Sequence, residues 1–171
     1  SEGNAAAQVI RTVNVVDTTA PIITLLGDNP QVIELGAGYT ELGATTNDGS
    51  AVVIDASDFT DAVGTYSITY DAVDSEGNSA AQVIRTVNVV DTTAPIITLL
   101  GDNPQVIELG AGYTELGATT NDGSAVVIDA SDFTDAVGTY TITYNAVDSE
   151  GNAAAQVIRT VNVVDTTAAL I

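Results

Sequence analysis

The sequence predicts an all-β protein made of tandem antiparallel β-sandwiches, and three observations carry that expectation. The first is self-similarity. Residues 17–27 (Asp-Thr-Thr-Ala-Pro-Ile-Ile-Thr-Leu-Leu-Gly) return letter for letter at 91–101, and their first four letters return again at 165–168, at a spacing of 74 residues each time. Laying 17–90 over 91–164 leaves three differences, Ser67/Thr141, Asp71/Asn145 and Ser79/Ala153, while residues 1–16 match 149–164 without a mismatch. A fixed period of this kind is the signature of a repeat array. Residues 1–16 then read as the last strand of a preceding repeat, 17–90 and 91–164 as two whole repeats, and 165–171 as the start of a following one. The second observation is the kind of apolar residue. Val, Ile, Thr and Ala dominate while Met, Trp and Cys are absent, a β-branched bias that favours strands. The third is spacing: turn signals fall every 8–12 residues and no segment has a helical period, as expected of a sandwich.

In chain order, residues 7–16 form an alternating strand with Val9, Val13 and Val15 on one face. Arg11 shares that face, so it calls for a bulge, an edge position or a snorkelling stem. Residues 17–21 are a linker whose Pro21 bars helix and holds Ala20 extended. A strand over 22–26 stops at Gly27-Asp28-Asn29-Pro30, and another over 31–35 stops at Gly36-Ala37-Gly38. Residues 39–47 alternate less cleanly, with Tyr39, Glu41, Gly43 and Thr45 facing one way, and they end in the turn Asn47-Asp48-Gly49-Ser50. A short strand over 52–55 precedes the acidic loop Asp58-Phe59-Thr60-Asp61. The clearest strand spans 64–74, with Tyr66, Ile68, Tyr70 and Ala72 on one face. Asp74-Ser75-Glu76-Gly77-Asn78 turns it back into 82–90 as a hairpin. A unit of this size is just large enough to close one core.

Composition narrows the function. A net charge of −20, with three arginines and neither lysine nor histidine, excludes a nucleic-acid partner, because nothing could neutralise the phosphates. No apolar run approaches the roughly 20 residues of a spanning helix, so no membrane insertion is expected. Without cysteine there is no disulfide, thiol catalysis or Cys/His zinc site. Without lysine, no Lys–Asn or Lys–Asp isopeptide bond can brace the units. Only carboxylates are left for acid–base work, and near-identical copies would duplicate any active site, so the chain is expected to be non-catalytic. The single arginine of each repeat (Arg11, Arg85, Arg159) reads as bracing a nearby carboxylate rather than clamping a ligand. Tyr66 and Tyr70, on the apolar face of the best strand, read as core rather than as a sugar platform.

Three stretches taken together, Asp17-Thr18-Thr19-Ala20-Pro21, Gly64-Thr65-Tyr66…Tyr70…Asp74-x-x-Gly77-Asn78 and Arg85-Thr86-Val87-x-Val89, resemble bacterial Ig-like surface repeats of the hyalin-repeat group. The resemblance covers both repeats. It implies immunoglobulin-like sandwiches strung in tandem, extracellular or at the cell surface, serving as the non-catalytic stalk or fibre of a large adhesin. The alternatives are a filament subunit that assembles by β-strand donation between identical chains, and a glycan- or protein-binding Ig-like module. The family often carries an Asp-Asn-x-Asp-Gly-Asp loop where this chain has Thr46-Asn47-Asp48-Gly49-Ser50.

Strands running up and down sort their loops by pole. Asp17, Asp48, Asp74, Glu76 and Asn78 are expected at one pole, and Asp91, Asp122, Asp148, Glu150 and Asn152 are their equivalents in the second repeat. Asp58 and Asp61 belong to the opposite pole. Hard cations take about six to eight oxygen ligands from such groups, so calcium at the repeat junctions is the expected cofactor, and neighbouring repeats stacked end to end are the expected partners. Asp74 and Asp148 lead the set, because each ends the strongest strand on its core-facing parity and needs a partner. The competing reading makes Asp74 the cap of its own turn.

Overall fold

The longest alternating stretch of each repeat becomes the spine of a sandwich. In the computed structural model, which describes residues 2–168, the chain divides after Val90 into two units. The first contains β1 (Ile23–Leu25), β2 (Gln31–Glu34), β3 (Ala44–Thr46), β4 (Val52–Asp55), β5 (Gly64–Ala72) and β6 (Val83–Val90). The second repeats them as β7 (Ile97–Leu99), β8 (Gln105–Glu108), β9 (Ala118–Thr120), β10 (Val126–Asp129), β11 (Gly138–Ala146) and β12 (Val157–Val164). A four-stranded sheet ordered β2-β6-β5-β4 is accompanied by the two-stranded sheet β1-β3, and the second unit has the same plan. The expected hairpin is present: β5 and β6 run antiparallel with Ile68 opposite Arg85, and Val73 bridges Ser79 beyond the strand ends. Alternation puts Ile68, Tyr70, Ala72 and Val87 on the inner face, where they close a core with Ile23 of the small sheet.

One pairing departs from the antiparallel plan. β2 lies parallel to β6, with Gln31 opposite Val87 and Glu34 opposite Val90. The chain leaves the small sheet after Leu25 and joins the large one without reversing. It meets β6 in order: the Leu26 carbonyl at Arg85, the Asn29 side chain at Thr86, then Gln31 at Val87. Where β2 does not reach, the Asn29 amide stands in for a strand, donating to the Ile84 carbonyl at 3.0 Å and accepting the Thr86 N–H at 2.9 Å. Gly27 makes the crossing feasible. Its φ is +71°, and a Cβ there would lie 2.6 Å from Leu42 Cδ1.

Three expectations are corrected. Residues 7–16 carry no strand, and Val9 and Val15 are 93% and 95% exposed. A strand needs a neighbour for its N–H and C=O groups, and in both units the corresponding place is filled by β6 or β12. Residues 39–43 are irregular and only Ala44–Thr46 pairs, because Gly36, Gly38 and Gly43 adopt positive φ and the Tyr39 and Glu41 side chains are engaged elsewhere. Third, Arg11 is exposed and lies in no strand, so the bulge, edge or snorkelling stem expected for it does not arise; its equivalent in the first unit, Arg85, sits in regular register at the centre of the sheet and is 0% exposed. Residues 165–168 carry no strand, and 169–171, the rest of the expected fourth repeat, lie outside the described residues.

Trypsin needs an arginine or lysine in accessible, locally open backbone. The chain has no lysine, Arg11 is exposed, and Arg85 and Arg159 are buried. Limited trypsin digestion of the native protein is expected to cut after Arg11 alone, read by intact mass. Equally rapid cutting after Arg85 or Arg159 would show that β6 and β12 are not held as described.

Candidate functional site

The acidic pole is built by the turn that follows β5. Asp74 Oδ1 accepts the backbone N–H groups of Glu76 at 3.0 Å and Asn78 at 2.7 Å, and Oδ2 accepts the Asn78 side-chain amide at 2.8 Å. The same amide donates to the Asp17 carbonyl at 3.2 Å, tying the linker to the hairpin. Asp17, Asp74 and Glu76 thereby each bring a carboxylate oxygen within 4.8 Å of the others, as do Asp91, Asp148 and Glu150. Asn152 repeats the role of Asn78, donating to the Asp91 carbonyl at 3.1 Å and to Asp148 Oδ2 at 2.8 Å. Val15, Val16, Asp17 and Glu76 line an open groove of about 650 Å³ beside the first cluster.

Asp48 and Asp122 do not join these clusters. Asp48 accepts the Ser50 N–H at 3.0 Å and hydroxyl at 2.8 Å, and Asp122 accepts the same groups of Ser124 at 2.9 and 2.6 Å. Each carboxylate is consumed by its own Asx turn. The neighbouring Asn47 does hold the linker end, its Oδ1 accepting the Ile22 N–H at 2.7 Å. The Asp58–Asp61 loop lies at the other end of β5, where Tyr66 Oη donates to the Ala62 carbonyl at 2.8 Å and meets Thr60 Oγ1 at 2.6 Å.

The Asn78 amide, outweighing partial burial, holds the Asp74 carboxyl below its ordinary value with help from the turn N–H groups. At Asp148 burial pushes upward, but the bonds from Asn152 and the turn prevail in the same direction. Carboxylates and a linker carbonyl are donors that suit a hard cation. Two features belong to a turn cap instead: Asp74 Oδ1 already takes two N–H groups, and Asn78 turns its nitrogen toward the carboxylates.

A second constellation lies around the buried arginine, and sequence reading did not single out its carboxylate, Glu41. Arg85 Nε donates to Tyr70 Oη at 2.8 Å, Nη2 to the Leu26 carbonyl at 2.6 Å and the Gly43 carbonyl at 3.1 Å, and Nη1 to the Asp28 carbonyl. The arginine's direct partners are therefore carbonyls, which corrects the expectation of a braced carboxylate. The acid is reached through Tyr70, whose hydroxyl donates to Glu41 Oε1 at 2.7 Å, while Tyr39 donates to Oε2 and the Gly43 N–H to Oε1 at 2.6 Å. In the second unit Arg159 keeps the Leu100 and Gly117 carbonyls at 2.6 and 3.1 Å, Glu115 keeps Tyr144, and Arg159 Nε and Nη1 have no hydrogen-bond partner among the described residues. Tyr70 is core, as expected, and Tyr66 packs edge-on against Phe59, with ring centroids 5.1 Å apart.

Burial pushes the Glu41 carboxyl up, but hydrogen bonds from Tyr39, Tyr70 and Gly43 and the charge of Arg85 outweigh it and hold the group low. The Tyr39 hydroxyl is pushed up by burial and by Glu41. A carboxyl depressed in the folded state stabilises above its unfolded value, here 4.5, and that contribution is lost as pH falls through the folded value. Thermal melts are expected to be level from neutral pH to about 5 and to fall below about 4.5. Glu41→Gln with Glu115→Gln should cost about 1–3 kcal/mol per unit at neutral pH and flatten part of the acid limb. An unchanged acid limb in that variant would remove these residues as its source.

Residues 23–89 and 97–163 each match the family described as bacterial surface protein, Ig-like domain. The chain belongs to this family. Its Ig-like repeats are also similar to hyalin of Strongylocentrotus purpuratus, 33% identical over 170 residues covering 89% of this chain and 14% of hyalin. Hyalin of Lytechinus variegatus is 34% identical over 189 residues, covering 95% of this chain and 34% of that protein. An uncharacterized 81.3 kDa protein of Acholeplasma phage L2 is 28% identical over 167 residues, covering 85% and 22%. The chain thus spans a minor part of the length of these curated relatives. Among solved structures, fibronectin(III)-like modules of Clostridium thermocellum CbhA overlay at 17% identity, covering 84% of this chain and 94% of theirs, with a TM-score of 0.34. A Bacteroides thetaiotaomicron lipoprotein overlays at 20% identity, 81% and 76% coverage, and a TM-score of 0.35. Both overlays are too loose to carry a conclusion. Among the described residues, no helix is long and apolar enough to cross a membrane.

Proposed function

We propose that these Ig-like repeats are non-catalytic spacers in the stalk or fibre of an exported bacterial adhesin. The observation that carries this reading is the path of the chain through each unit. It comes in at the hairpin pole, where Asn78 holds the Asp17 carbonyl, and goes out past Val89, which pairs with Gly64 at the opposite end of β5. Near-identical units traversed from pole to pole, joined by Asp91-Thr92-Thr93-Ala94-Pro95, add length with little slack. Abundant negative charge keeps copies soluble and mutually repelling. A binding module would draw its specificity from loops that differ between copies, whereas these loops are identical except at Ser79/Ala153. Each unit should contribute about 30 Å, from central strands of eight or nine residues at ~3.3 Å per residue. Small-angle scattering is expected to give a maximum dimension close to two units end to end. A value near that of a folded-back pair would overturn the spacer reading.

Calcium at the acidic poles is the second part of the proposal. Asp17, Asp74 and Glu76 in the first unit, and Asp91, Asp148 and Glu150 in the second, would hold the ion once Asn78 or Asn152 presented its amide oxygen; Asp48 and Asp122 stay with their serines. The ion would neutralise a converging cluster and fix the linker at its hairpin. Calorimetric titration into chelator-treated protein is expected to show saturable heat in the extracellular-module range, about 0.1–1 mM, weakened in Glu76→Gln/Glu150→Gln. No heat, with a melting temperature indifferent to EDTA, would leave these carboxylates as turn caps.

A further inference from the structure

The large sheet of each unit ends at β4 on one side, and alternation decides which backbone groups that edge leaves unpaired. The Ala72 carbonyl accepts the Ala80 N–H, so Ala72 turns its backbone toward β6 and Asp71 turns toward β4. Asp71 stands opposite Val53, whose N–H and C=O are thereby taken up in the ladder. Val52 and Ile54 direct theirs away from the sheet, and nothing among the described residues meets them. In the second unit the Ala146 carbonyl accepts the Ala154 N–H and Val127 stands opposite Asn145, which leaves Val126 and Ile128 open in the same way.

An open edge of this kind accepts an added strand. Its side chains say which. Val52 packs toward the core, so Val53 faces outward, and it is 66% exposed; Ile54, on the inner face, is 38% exposed. An added strand would therefore cover apolar surface on both sides of the sheet. Asp55 follows Val53 on the outer face, and Asp71 lies beside Val53 one strand further in. Gln82 holds Asp71 at 2.9 Å and the Ser57 N–H reaches Asp55 Oδ1 at 2.9 Å, but neither carboxylate has an ion pair among the described residues.

We propose that the β4 edge binds an extended, basic segment of another protein as an added antiparallel strand. Alternating basic and apolar residues fit it. A lysine or arginine opposite Asp55 makes a cross-strand ion pair. A second one opposite Val53 lays its stem over that valine and reaches toward Asp71, about 10 Å away across two strand spacings. The apolar residue between them points to the inner face and meets Ile54. Backbone bonds to Val52 and Ile54 supply affinity, and the two carboxylates select the charge. A second copy of this chain does not satisfy the edge: its own β4 would bring further carboxylate to it, and the chain has no lysine.

The two units differ at one point of this surface. Asn145 stands where the first unit has Asp71, so the edge at Val126–Asp129 keeps Asp129 alone. The first unit is therefore the stronger site, by about twofold to fivefold for one cross-strand charge pair. This inference adds a partner to the spacer without resting on its length, which scattering on the free chain tests separately.

The probe is a fluorescent peptide, Thr-Val-Lys-Val-Lys-Val-Thr, titrated into the full chain and followed by anisotropy. Saturable binding that weakens with added salt is expected, and none for the peptide with glutamate in place of both lysines. N-methylation of its valines keeps the charge but removes the N–H groups that face β4, and is expected to abolish binding. Ile128→Pro leaves the first edge alone and Ile54→Pro the second, because proline there deletes an outward N–H and spares the ladder. The Ile128→Pro chain should bind about twofold to fivefold more tightly than the Ile54→Pro chain, and Asn145→Asp added to the latter should remove the difference. Undiminished binding of the N-methylated peptide overturns the proposal, since charge alone then suffices. Binding of the glutamate peptide, or failure of the lysine peptide to bind, overturns it as well. Should a proline chain fold poorly, Asp71→Asn and Asn145→Asp are compared in the full chain, the first expected to weaken binding and the second to strengthen it. Equal affinity of those two overturns the contact with Asp71.

Discussion

One buried guanidinium decides how each repeat closes. Arg85 projects from the middle of the large sheet and ends among carbonyls of the β1–β2 crossing and of Gly43, just before β3, so a single side chain on β6 fixes both strands of the small sheet. A cation taken out of water is costly unless its N–H groups are satisfied and its charge is offset. Carbonyl dipoles do the first, and the Tyr70–Glu41 relay brings a carboxylate near enough for the second without direct contact. The same relay explains residues 39–43, which are irregular yet defined: their position is set by where Glu41 must sit rather than by a ladder. Tyr39, Phe59 and Tyr66 then stack in sequence, with centroids 5.2 and 5.1 Å apart, and close the side of a core that has few aromatics to spend.

The differences between the two copies respect this arrangement. Ser67/Thr141 lies on the outward parity of the central strand, opposite Thr86 and Thr160. Asp71 and Asn145 each accept a bond from the glutamine just before the next strand, Gln82 at 2.9 Å and Gln156 at 3.1 Å, so the exchange removes a charge and keeps the contact. Ser79 and Ala153 occupy the isolated bridge beside the turn. The hydrogen bonds of Arg85, Tyr70, Tyr39 and Glu41 go to other residues than these three.

The fold was legible wherever alternation is undiluted. Residues 64–72 and 83–90 announce a buried face and a hairpin, and Asp74-x-x-Gly-Asn announces the turn that caps itself. Asp48 carried its own signal as well, since a serine two residues on invites the Asx turn that keeps it out of the acidic cluster. Other features were hidden for a physical reason. Parity says that Arg85 faces the core, but its acceptors lie 57, 59 and 42 positions away, on loops whose approach depends on the whole sandwich. The parallel pairing of β2 is similarly invisible, because the five residues between β1 and β2 look like a reversal whether or not the chain turns back. Residues 7–16 show the converse: pattern and propensity were both right for a strand, and a strand still does not form without a neighbour.

The parallel pairing has a mechanical consequence. Tension along the chain pulls β1 and β2 toward the hairpin pole and β6 toward the other, so the two parallel neighbours are drawn lengthwise past one another. The rungs between Gln31–Glu34 and Val87–Val90, with the Leu35 N–H to Val90 carbonyl bond at 2.7 Å, lie across that line of pull and share the load at once. A hairpin end stressed the other way would peel bond by bond. A unit threaded like this resists as a clamp, holding its length under rising force and then yielding abruptly, so that a taut array would lengthen in steps.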